Sequence, residues 1–79
     1  MKGGERIQES VQIIESLIEK YGASVLLLNS LALGFLQLKK YNEAEKQLLL
    51  AMEKNTSDAS TIINLITCYT LQGKSQDII

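Results

Sequence analysis

VLLLNSLALGFLQLKKYNEAEKQLLLAMEKNTS, residues 25–57, is the stretch from which the architecture follows. Its first half, Val25 to Leu38, is apolar almost all round, broken only by Asn29, Ser30 and Gln37. At about 14 residues it falls short of the ~20 a membrane span requires, so it reads as a helix buried on more than one side by protein. Its second half is one-sided, with Ala44, Leu48, Ala51 and Met52 on a single helical face. Two such helices joined by a short link pack as an antiparallel hairpin. Ala44 and Ala51 are small residues on the face that should meet Leu31, Ala32 and Phe35. A bulky side chain then lies opposite each small one, and the helices approach closely without voids. A larger side chain at Ala44 would overpack that contact.

The flanking sequence repeats this stretch at a spacing of 34 residues. Glu9 matches Glu43, Ser10 matches Ala44, Ile14 matches Leu48 and Ile18 matches Met52. Downstream, Ser24 matches Asp58, Leu28 matches Ile62, Leu31 matches Leu65 and Phe35 matches Tyr69. A fixed period of this size marks a solenoid of stacked helix–turn–helix units. The first helix is expected over about Glu5 to Tyr21, with Ile7, Val11, Ile14, Leu17, Ile18 and Tyr21 on its core face, and Gly22 ends it. Ser24 caps the second helix, and Asn42 with Glu45 three positions later resembles a capping box for the third. The run Asn55-Thr56-Ser57-Asp58 turns the chain into a fourth helix over Ala59 to Gln72, closed by Gly73; a fifth begins at Ser75. The chain is therefore divided as 5–21 (second helix of a preceding repeat), 25–57 (a complete repeat) and 59–79 (first helix and start of the second helix of the next). Both ends should expose apolar surface, and self-association through them is expected.

Composition narrows the partners. Of the 79 residues, 46% are hydrophobic, none is proline or histidine, and Cys68 is the single cysteine. Neither a disulfide nor a metal site follows, and a core of this size supplies roughly 3–5 kcal/mol of net stability. Eight basic and nine acidic residues are mixed along the chain, so no basic stripe exists for nucleic acid. Lys39-Lys40 is too short for a polybasic membrane anchor, and Met1 to Glu5 lacks the apolar core of a signal peptide; a cytosolic protein is expected. No acid–base pair, activated nucleophile or phosphate loop is present in the sequence, which makes an enzyme the least favoured class. Cys68 has no basic neighbour in sequence to activate it and reads as a small core residue.

These residues resemble the tetratricopeptide repeat. With Val25 as first position, Leu31, Ala32, Phe35, Tyr41, Ala44, Leu48 and Ala51 fall on its signature positions. Leu28 takes the usual aromatic position, Thr56 the usual proline, and Lys39 the frequent glycine of the turn inside the repeat. The strings Leu26-Leu27-Leu28-Asn29, Tyr41-Asn42-Glu43-Ala44-Glu45, Ile62-Ile63-Asn64-Leu65-Ile66 and Leu71-Gln72-Gly73-Lys74 are similar, in identity and order, to the C-terminal part of the coatomer epsilon subunit family. Ser75 stands where that family often has proline. The resemblance implies an all-α fold of antiparallel helical hairpins stacked as a tetratricopeptide-repeat solenoid, and a fragment of a longer protein. It further implies a COPI vesicle-coat component in ER–Golgi transport, cytoplasmic and peripheral on Golgi and COPI vesicle membranes, that grips the C-terminal domain of the coatomer alpha subunit. An adaptor or co-chaperone taking a different apolar peptide is the alternative.

In such a solenoid the first helix of each repeat lines the concave surface. The inward positions would be Leu26, Asn29, Leu33, Leu36 and Gln37 on the second helix, and Ser60, Ile63, Thr67, Thr70 and Leu71 on the fourth. They form either a groove for an apolar partner segment or, for Leu33 and Leu36, a contact with an adjacent repeat. The Asn29 amide either holds a partner's backbone or is satisfied within the fold. None of these positions is Lys or Arg, so a carboxylate clamp is disfavoured. No cofactor is implied.

Overall fold

A computed structural model of the chain describes residues 3–73. They form four helices in series: α1 (Gly3–Tyr21), α2 (Val25–Gln37), α3 (Tyr41–Lys54) and α4 (Ala59–Gln72). Local chemistry fixes most of the ends. Gly22 adopts φ 93°, and its amide donates to the Ile18 carbonyl at 2.8 Å, closing α1 through a left-handed residue. The Ser24 hydroxyl accepts from the Leu27 amide at 3.2 Å, and an Asp58 carboxylate oxygen accepts from the Thr61 amide at 3.2 Å, so α2 and α4 both carry the expected N-cap. Before Asp58, the Asn55 side chain turns the chain by accepting from the Ser57 amide. Gly73, at φ 80°, closes α4.

Two boundaries differ from the sequence reading. α1 begins two residues early, at Gly3. The capping box of Asn42 and Glu45 does not form: α3 begins at Tyr41, its N-cap is Lys40, and no side chain caps it. The cap residue must stand in non-helical backbone before the first helical residue, and Asn42 is already inside the first turn. The expected fifth helix from Ser75 lies outside the described residues.

The α2–α3 turn explains why α3 starts so abruptly. The Lys40 amide donates to the Phe35 carbonyl at 2.8 Å and the Lys39 amide to the Leu36 carbonyl at 3.0 Å, the paired bonds of a Schellman ending. That ending requires a left-handed residue between them, and Lys39 supplies it at φ 65°. A side chain there crowds its own carbonyl, which glycine avoids. Lys39→Gly is therefore expected to stabilise the chain, by about 1 kcal/mol less the extra freedom glycine gives the unfolded chain. A urea midpoint that moves down would show that the turn does not hold this backbone.

α1 packs on α2, α2 on α3 and α3 on α4, with α2 also touching α4. Neighbouring helices run antiparallel, as stacked hairpins require. The core is one cluster of Val11, Leu31, Ala32, Phe35, Leu36, Ala44, Leu48, Leu65 and Cys68, joined along its edge by Ile7, Ile14, Ile18, Met52 and Tyr69. Ala44, Leu48 and Ala51 are sealed completely, as the small–large–small spacing predicts. Where α1 meets α2 the close approach is made at Gly34: a Cβ there would lie 2.6 Å from Cγ2 of Val11. Leu17 and Tyr21, expected in the core, are exposed at 36% and 71%. Leu17 is the equivalent of Ala51, and among the described residues no helix lies on that side of α1. The molecule measures 36 × 31 × 16 Å, under two helix diameters thick, so only side chains along the helix seams are enclosed.

Candidate functional site

The wider faces of α2 and α4 carry the residues expected to meet a partner. α2 and α4 contain no charged residue from Val25 to Gln37 or from Ala59 to Gln72. Leu26, Leu33 and Ile63 are exposed at 74%, 44% and 61%, and Leu71 at 50%. Gln37, Thr67 and Thr70 are also exposed. The Thr67 hydroxyl donates to the Ile63 carbonyl at 3.0 Å and the Thr70 hydroxyl to the Ile66 carbonyl at 2.8 Å. Each threonine thus satisfies its own donor within the helix, which makes its outward face less polar than its formula suggests. Gln37 keeps a polar edge on this surface. The whole presents branched aliphatic groups with no fixed charge, suited to an apolar segment.

Two of the expected residues are held inside the fold. Leu36 is 8% exposed and belongs to the core cluster. Asn29 is 6% exposed, and its amide donates to the Val25 carbonyl at 3.0 Å and to the Thr61 hydroxyl oxygen at 2.7 Å. Its oxygen accepts from the Asn64 amide at 2.9 Å. The Thr61 hydroxyl donates in turn to Asp58 at 2.7 Å, and Asp58 also lies 3.4 Å from the Asn29 amide. Asn29 therefore spends its hydrogen bonds on fixing α4 against α2. It positions the exposed residues instead of joining them.

Asp58, Thr61 and Asn64 follow one another at a spacing of three along one side of α4, but no sequence signal pairs them with Asn29, so the network was not legible. Leu49 and Leu50, exposed at 43% and 46% on α3, were also not singled out. Their signal was the unbroken run Leu48-Leu49-Leu50, too wide for a helix with one apolar face. Cys68 is fully buried, as read from the sequence, with its thiol 3.4 Å from the Tyr41 carbonyl and its sulfur 3.2 Å from the Gln72 amide. The Gln72 amide also donates to Glu45 at 3.0 Å, tying the end of α4 to α3. Beside it, a shallow polar depression of about 400 Å³ is lined by Lys39, Lys40, Tyr41, Asn42, Glu43, Leu71 and Gln72. Among the described residues, no three His, Cys, Asp or Glu side chains are grouped to hold a metal ion.

Comparison with known proteins places these features in a family. The family model described as coatomer epsilon subunit matches residues 1–79. The chain is 41% identical over 73 residues to coatomer subunit epsilon-2 of Oryza sativa subsp. indica, covering 92% of this chain and 25% of that protein. Coatomer subunit epsilon-2 of Arabidopsis thaliana gives the same identity and coverage. Coatomer subunit epsilon of Dictyostelium discoideum is 36% identical over 77 residues, covering 98% of this chain and 26% of that protein. The chain thus spans about a quarter of the length of the curated relatives it matches. No solved structure matches it.

Proposed function

Because the chain belongs to the coatomer epsilon subunit family, we propose that it is a protein-interaction element of the COPI coat and that its apolar α2–α4 face binds the coatomer alpha subunit. The observation that carries this reading is the uncharged exposed surface of Leu26, Leu33 and Ile63 on two helices locked together by Asn29. A partner segment laid across it buries apolar area worth roughly 25 cal/mol per Å². The helices are already ordered, so little of that gain is spent on fixing them. Thr67 and Thr70, with their hydroxyls bonded back to the helix, border the contact, and Gln37 sets its polar edge. The protein acts by equilibrium binding and not by turnover. No helix among the described residues is long and apolar enough to cross a membrane. In this reading the chain sits at Golgi and COPI vesicle membranes through its coat partners. Membership of the coatomer family favours this over an adaptor or co-chaperone role.

The test is titration of the chain with the C-terminal domain of the alpha subunit, followed by calorimetry. Leu26→Asp and Ile63→Asp each place a charge on the face, at side chains exposed enough to leave the fold intact. Leu26 lies in the first turn of α2, where a carboxylate favours the helix dipole, and Ile63 lies one turn further into α4. Each substitution is expected to weaken binding about tenfold or more, which corresponds to roughly 1.4 kcal/mol. Wild-type chain that does not bind the domain would overturn the partner. Binding that both variants retain in full would overturn the site while leaving the partner.

A further inference from the structure

The seam between α2 and α4 carries a polar group whose outward atoms are fixed by the hydrogen bonds beneath it. The constraint starts at Asp58, whose carboxylate can only accept. The Thr61 hydroxyl gives its proton to Asp58 at 2.7 Å, so its oxygen is left to accept from the Asn29 amide at 2.7 Å. The second N–H of that amide goes to the Val25 carbonyl at 3.0 Å. Asn29 has then spent its donors inside the fold, and its oxygen takes a proton from the Asn64 amide at 2.9 Å. Asn64 must therefore turn its nitrogen inward. Its carboxamide oxygen and its other N–H remain, and neither has a partner among the described residues. Asn64 is half-buried. It lies next to Ile63 and one turn from the exposed Ser60 and Thr67, while the Asn29 that holds it lies one turn from both Leu26 and Leu33.

We propose that Asn64 is a specificity-determining residue of the partner face, and that the segment covering it sets an Asn or Gln side chain against it. The inference rests on the reading that this face binds the coatomer alpha subunit. An apolar segment laid across Leu26, Leu33 and Ile63 takes Asn64 out of water, and a buried donor or acceptor left unmet opposes binding. Two atoms must be met together. A side-chain carboxamide meets both, with its N–H on the Asn64 oxygen and its own oxygen on the Asn64 N–H. A hydroxyl or an indole reaches only one of them well. A trans peptide unit points its N–H and C=O to opposite sides, so it also meets one. An ammonium or guanidinium only donates and leaves the Asn64 N–H unmet. Thr67 and Thr70 have turned their hydroxyl protons into their own helix, so they make no comparable demand for an acceptor. A segment that is apolar throughout is thereby disfavoured against one with a carboxamide at the right place.

The test is a double-substitution cycle, read by calorimetry, between the chain and the C-terminal domain of the alpha subunit. Each Asn and Gln of the domain is replaced by Ala in turn. Asn64→Ala is expected to weaken binding of the unaltered domain about tenfold. One replacement in the domain is expected to weaken binding to the wild-type chain by a similar factor, and to have little further effect on Asn64→Ala. Loss of the Asn64–Asn29 bond acting through the fold alone would not produce that coupling, because it would lower every affinity alike. Asn64→Ser takes the place of Asn64→Ala should circular dichroism show the alanine variant unfolded. Full affinity in the Asn64 variant overturns the inference, as does a loss that couples to no Asn or Gln of the domain. In either case the partner face itself stands if Leu26→Asp and Ile63→Asp still weaken binding. A wild-type chain that does not bind the domain overturns both.

Discussion

Leu48→Ala is expected to leave a large fraction of the chain unfolded at room temperature. Leu48 has no exposed surface and sits between Ala44 and Ala51, which have none either. The alanines cannot move inward to fill the space, because their side chains are already the smallest that close the α2–α3 seam. Removing a buried leucine at a site that cannot collapse costs about 2–5 kcal/mol, the upper part of the range applying where relaxation is least. A core of this size holds roughly 3–5 kcal/mol in total, so the loss approaches the whole. Far-ultraviolet circular dichroism during a urea titration reads the effect directly. Ile14→Ala supplies the control, since Ile14 occupies the same place in the cadence on α1 but is only half-buried. Its cost should be clearly smaller. Equal losses at the two positions would mean that burial in the α2–α3 seam is not what sets the stability.

That contrast also shows how far the sequence could be read. Period, helix order and the caps at Ser24, Gly22, Asp58 and Gly73 follow from side-chain chemistry that acts within a few residues, and all are found in place. The resemblance to the tetratricopeptide repeat also marked Lys39 as standing where glycine is frequent, and the left-handed backbone found there is why glycine suits the position. Burial is different, because it depends on which neighbours are present. Leu28 and Ile62 are equivalent by the repeat, yet one is sealed and the other is more than a third exposed. The same division separates Ala51 from Leu17. No local rule carries that information. The capping box failed for a related reason: the Schellman ending of α2 commits Lys40 to the N-cap, so Asn42 arrives two residues too late. Of the positions assigned to the concave surface, Leu26, Leu33 and Ile63 are exposed, whereas Leu36 and Asn29 were placed with them and lie inside.

The fate of Asn29 bears on how the face is built. Helices α2 and α4 are not consecutive, and the apolar contact between them is modest beside that of α2 with α3. Apolar surfaces slide past each other at little cost, since dispersion and desolvation carry no directional term. A buried amide with fixed donors and acceptors does carry one. Held in place by its bond to the Val25 carbonyl within α2, Asn29 sets both the depth of α4 and its rotation through Thr61, Asp58 and Asn64. Those two quantities decide where Ile63 stands relative to Leu26 and Leu33.

Asn29→Asp is therefore the second substitution expected to have a large effect, although it changes the side-chain volume hardly at all. It removes the amide donors that serve the Val25 carbonyl and the Thr61 hydroxyl, leaving only acceptors to face them. It also brings a carboxylate to within about hydrogen-bond reach of Asp58, which approaches the present amide at 3.4 Å. Two like charges at that separation repel, and a buried charge without a cation costs about 3–5 kcal/mol. No Lys or Arg occurs in α2 or α4 to offset it. Asn29→Leu separates the two effects, since it deletes the hydrogen bonds without adding charge and should cost about 1–3 kcal/mol. Urea midpoints for the pair give the comparison, with Asn29→Asp expected well below Asn29→Leu and both below wild type. If the aspartate variant proves as stable as the leucine variant, the side chain at this position escapes to water, and Asn29 is not the group that locks α4 to α2.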